Sequence, residues 1–122
     1  MTQSLPTSDT LATMLSDAAE TAASLQAKYF EAWNSSRTAR INRDLVYDDV
    51  VARAYIDGAV DGKNAEVRKA QLDAFVNGNL RLTDYEATLR AAEAALKRSE
   101  GLLEAARTHR SALHDMVQIR RP

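Results

Sequence analysis

Cysteine is absent from this sequence, which removes disulfides, thiolate metal sites and thiol nucleophiles together and fits a reducing compartment. Glycine and proline are scarce, four and two in 122 residues, and neither occurs between Thr7 and Asp57. These residues are the strongest local breakers of regular structure, so long uninterrupted elements are expected. No apolar run approaches the roughly 18 residues of a membrane span. The first ten residues, MTQSLPTSDT, lack the basic and apolar regions of a signal peptide. The chain is therefore expected to be neither secreted nor embedded in a membrane, and to reside in the cytoplasm. Excess charge of one sign is missing too, since 16 basic residues nearly cancel 17 acidic ones, and bulk charge selects no partner.

Ala, Leu, Arg, Lys, Glu and Gln dominate what is present, the residues that lose least on entering a helix. The class is all-α, and at this length one helical domain is expected over residues 7–122, with 1–6 as a frayed tail. A first helix should start at Thr7 or Ser8, where a hydroxyl can cap the first turn and Asp9 faces the positive end of the helix dipole. Leu11, Leu15, Ala18, Ala22, Leu25, Tyr29 and Ala32 then follow four-three spacing, the pattern of one apolar seam packed against another helix. Asn34-Ser35-Ser36 interrupts the seam, and apolar residues resume at Ile41, Leu45, Val46, Val50 and Val51. This pattern predicts a second helix over about 37–56, with a single bent helix as the alternative. Gly58 and Gly62 bracket a connector, and a third helix over about 64–76 is closed by Asn77-Gly78.

Thr83-Asp84-Tyr85-Glu86 matches a capping box and predicts the start of a fourth helix. Its seam, from Tyr85, Leu89 and Ala92 through Leu96, Ser99 and Leu103 to Leu113 and Val117, implies a coiled-coil-like rod about 50 Å long. Glu86 with Arg90 and Glu93 with Lys97 have i,i+4 spacing. Alanine recurs in both long seams, while Ser99 and Arg110 occupy positions that a strong homodimeric zipper would fill with leucine. Residues 1–32 carry an acidic excess and 105–122 a basic one. Both features favour an elongated antiparallel helical bundle or hairpin over a parallel coiled coil.

The stretch DGKNAEVRKAQL, Asp61 to Leu72, places a Gly-Lys step before a helix start and so raises the question of a phosphate site. A phosphate-binding loop needs a preceding buried strand and a longer glycine loop ending in Gly-Lys-Ser/Thr; neither occurs here. A capped helix start with solvated Arg68 and Lys69 is the favoured reading. The same residues, Gly62-Lys63-Asn64-Ala65-Glu66, Arg68 and Ala70-Gln71-Leu72, followed by a long Ala-Leu-Glu-Arg helix, resemble small helical proteins encoded by phages. The resemblance covers the half of the chain from Asp61 onward. It implies an origin and a helical fold, and carries over no functional residue.

Candidate sites are few. His109 and His114 are offset by about 140° around a helix and cannot form an i,i+4 metal pair; no Glu-x-x-His step accompanies them. Asp44, Asp48 and Asp49 raise the question of a Mg²⁺ site, but Arg40 and Arg43 lie within about a turn of Asp44 and favour ion pairs. Arg37, Arg40 and Arg43, and at the far end Arg107, Arg110, Arg120 and Arg121, are candidate contacts to phosphates, with Tyr47 or Tyr55 available for stacking. Trp33, with Tyr29 and Phe30, reads first as core and second as an interface anchor. Leu113, Met116, Val117 and Ile119 make the C-terminal turns apolar almost all round, so the first helix or another chain must cover them. No catalytic, cofactor or metal constellation emerges. The favoured reading is a non-catalytic interaction protein that binds a protein partner and associates with itself, a phage accessory factor in the host cytoplasm. The alternative is a nucleic-acid-binding accessory protein using the arginine clusters.

Overall fold

The computed structural model describes residues 7–120, with only the backbone for Arg120. The expected tail at 1–6 lies outside the described residues. Three helices account for almost all of the rest, and no strand occurs among the described residues: α1 is Ser8–Ile56, α2 is Ala65–Asn77 and α3 is Leu80–Arg120. The chain divides into two compact units, one formed by Met1–Ala32 with Ala95–Pro122 and the other by Trp33–Ala94.

In the first unit the start of α1 packs against the end of α3, so the two segments are antiparallel. Leu11, Ala18 and Leu113 are buried together, with Met14, Leu15, Met116 and Val117 against them. Thr7 caps α1 through its Oγ1, which accepts from the Thr10 amide at 3.2 Å. In the second unit Val46 and Val50 of α1 meet Leu82 of α3, with Phe75 and Val76 of α2 and Tyr85 completing the cluster. Here too α1 and α3 run antiparallel, because Arg40 reaches Glu93 while Val50 lies against Leu82.

Two expected boundaries are corrected. No helix end falls at Asn34-Ser35-Ser36; α1 is continuous over 49 residues. The seam runs straight through that stretch, with Ser36 only 6% exposed, Arg43 half-buried, and Ala39, Val46, Val50 and Ala54 buried. Polar residues in a helix interior cost a few tenths of a kcal/mol each, whereas a break would leave a full set of unpaired amides and carbonyls. Ile41 and Leu45, expected in the second seam, are consequently on the outside of the helix.

The second correction concerns α3, which starts at Leu80 rather than after Thr83. Asn79 is the cap, its Oδ1 accepting from the Leu82 amide at 2.9 Å. Thr83 lies inside the first turns and donates its hydroxyl back to the Asn79 carbonyl at 3.0 Å. Glu93, expected to pair with Lys97, instead accepts from Arg40 Nη2 at 2.8 Å.

The remaining ends match expectation. Gly58, at φ +75°, terminates α1 in a conformation that favours glycine. Around it the Ala59 amide reaches Ala54 O and the Gly58 amide reaches Tyr55 O, the paired bonds of a Schellman motif. Asn64 caps α2, accepting from the Val67 amide at 2.9 Å.

Candidate functional site

The outer face of α1 within the second unit carries side chains that the core does not explain. At about 100° per residue, Arg37, Ile41, Leu45, Asp48, Ala52 and Tyr55 lie within about 50° of the direction opposite the buried row. Ile41 is 49% exposed, Leu45 63% and Tyr55 55%. Single exposed apolar residues are ordinary, but their recurrence on one side makes α1 apolar on two opposite faces. Trp33 flanks this strip at 43% exposure, and the Arg37 guanidinium stands 5.6 Å from its ring centroid. Trp33 and Phe30 are thus not core, while Tyr29 is half-buried. Both exposed rings sit beside the seam rather than in it, a placement that follows once the four-three spacing is continued from Ala32 through Ser36.

The arginines at 37, 40 and 43 do not form one basic stripe. A step of three residues turns about 60° backwards around the axis, so Arg37 faces outward and Arg43 returns toward the seam. Each meets a different partner. Arg40 pairs with Glu93 at 2.8 Å, and Arg43 Nε donates to Asp44 Oδ1 at 2.8 Å. Asp49 accepts from Arg53 at 3.1 Å and lies 3.6 Å from Arg81. Arg37 and Asp48 belong to no ion pair among the described residues.

In the first unit, Arg107 lines an open groove of about 390 Å³ with Gln26, Tyr29, Glu100, Leu103 and Glu104. With two carboxylates against one guanidinium, the groove does not favour an anion. Arg110 is exposed one turn further along α3, while Arg121 and the side chain of Arg120 lie outside the described residues. No ion pair joins the acidic start of α1 to the basic end of α3 among the described residues. Of the apolar C-terminal residues, Leu113 is 2% exposed, and Met116 and Val117 pack beside it against α1. Only Ile119, 72% exposed, is left uncovered. His109 and His114 are both exposed, and no three His, Asp or Glu residues converge as a metal site among the described residues.

DGKNAEVRKAQL closes on itself. Gln71, about two turns into α2, turns its Oε1 back to accept the amides of Asp61 at 3.1 Å and Gly62 at 2.9 Å, while its Nε2 donates to Asp61 Oδ1 at 2.8 Å. Arg68 Nη1 donates to the Gly62 carbonyl at 3.1 Å. A Cβ at Gly62 would overlap the Val67 side chain, so the loop lies tight against the helix it precedes. The loop amides of Asp61 and Gly62 are thus already bonded to a side chain. Sequence reasoning missed this clamp because Asp61 and Gln71 are ten positions apart; their common motif was the available signal.

Comparison with known protein families, with characterised proteins and with solved structures finds no match to this chain.

Proposed function

We propose that this is a non-catalytic helical interaction protein that binds a protein partner and associates with itself, a phage-encoded accessory factor working in the host cytoplasm. The observation carrying the reading is the outer face of α1, where Ile41, Leu45 and Tyr55 stand exposed beside Trp33 and Arg37. Exposed apolar side chains with a tryptophan and an arginine among them have the composition of energetically dominant interface residues. The phage origin rests on the resemblance of the segment from Gly62 to Leu72.

A nucleic-acid-binding role is the second reading, favoured by Arg107 and Arg110, which are exposed and belong to no ion pair among the described residues. Arg40 and Arg43, already paired with carboxylates, weigh against it. Affinity capture from the native host, with and without nuclease, separates the two. Protein interaction predicts a co-purifying protein that resists nuclease and is lost with Trp33→Ala. Capture that nuclease abolishes, together with log affinity falling by about 0.9 per log unit of salt for each duplex phosphate contacted, would establish the second reading instead.

A further inference from the structure

Charge along α1 from Arg37 to Asp49 changes sign midway. Arg37, Arg40 and Arg43 come first, then Asp44, Asp48 and Asp49. Internal ion pairs occupy Arg40, Arg43, Asp44 and Asp49, leaving Arg37 and Asp48 as one unpaired charge of each sign on the same exposed face. They are 11 residues apart, about 16 Å along the axis at about 1.5 Å per residue, with Ile41 and Leu45 between them. Such a face is complementary to itself only when reversed.

From this pattern we propose that α1 between Trp33 and Tyr55 is a two-fold self-association surface. A second copy's α1 lies antiparallel across it, with Arg37 against the second copy's Asp48 and Asp48 against the second copy's Arg37. This assigns a site to the self-association in the functional reading above and rests on that part of it. The two-fold axis passes between Asn42 and Arg43. In that register Ile41 interleaves with the second copy's Leu45, and Trp33 comes level with the second copy's Ala52, whose methyl leaves space for an indole. A contact of this kind is isologous and closes at two copies. A parallel in-register pair would instead set Arg37 on Arg37 and Asp48 on Asp48, and like charges brought together at an interface oppose association.

Sedimentation equilibrium across the micromolar range tests the interface. The unaltered protein is expected to form a dimer that weakens as salt rises. Arg37→Asp and Asp48→Arg, singly, each replace two attractions by two repulsions and should weaken it about tenfold or more. The double variant Arg37→Asp/Asp48→Arg restores both attractions in an antiparallel pair and should return the constant to within about threefold, whereas a parallel pair gains nothing from the exchange. Ile41→Asp should abolish the dimer. Far-UV circular dichroism should find every variant as helical as the parent. Should a charge reversal reduce helicity, Arg37→Gln/Asp48→Asn replaces it, with a weaker dimer of flattened salt dependence expected and an unchanged one overturning the proposal. A dimer indifferent to the single reversals, or a double variant no better than the singles, overturns this interface while leaving self-association standing. A protein that remains monomeric yet still captures its partner overturns the interface and self-association together, and leaves partner binding intact.

Discussion

Gln71 shows how one side chain can account for a motif. Its amide both accepts and donates, so it can satisfy two loop amides and the Asp61 carboxylate at once. Leucine at the same place keeps the helix and the bulk but makes none of these bonds. Gln71→Leu is expected to lower stability by about 1–2 kcal/mol, read as a drop in the urea midpoint; no change would mean that water replaces the clamp at no cost. A sharper comparison lies at the head of α3. Asn79→Ala should cost about 1 kcal/mol as the loss of an N-cap, whereas Thr83→Ala should change stability by less than about 0.5 kcal/mol. Equal losses would argue that the helix starts after Thr83 in solution. The capping-box pattern was legible but misleading, because Asn79, four residues upstream, is an equally capable cap and lets α3 begin in time for Leu82 to be buried. Local pattern matching sees both caps; only the packing of Leu82 on Val46 and Val50 chooses between them.

At the level of elements, the seam proved more informative than the residues that interrupt it. Four-three spacing carried from Leu11 through Ser36 and Arg43 to Val50 describes one helix. The weak helix formers Asn34, Ser35 and Ser36 suggested a break that the tertiary contacts override. Ser35 is exposed in the middle of that stretch, so a substitution there probes the backbone with little disturbance of packing. In a continuous helix, Ser35→Pro removes an internal hydrogen bond and clashes with the preceding turn, and a loss of about 3 kcal/mol is expected in chemical denaturation. A mild effect would restore the two-helix description. The polar interruption also hid the candidate site. Taking Ile41 and Leu45 as seam residues assigns them to the interior and leaves the outer face looking unremarkable; correcting the register places both outside, in line with Arg37 and Asp48.

For the molecule as a whole, the all-α class and the antiparallel course of its long helices were readable from composition and period, whereas the sequence left open whether α1 or another chain covers the C-terminal turns. The division into two units was not readable, since both long seams keep their spacing across the boundary near Ala32 and Ala95. That division has a temporal consequence. The unit from Trp33 to Ala94 is contiguous, so it can form as soon as its own residues are made. The other unit joins the beginning of α1 to the end of α3, and Leu11 cannot meet Leu113 until the last turns leave the ribosome. At about 5–20 residues per second, the row from Leu11 to Leu25 waits several seconds or longer without its native cover. Of the two units, the one whose apolar row is synthesised earlier is the later to be sheltered, and in that interval the row is open to chaperones and to neighbouring nascent chains.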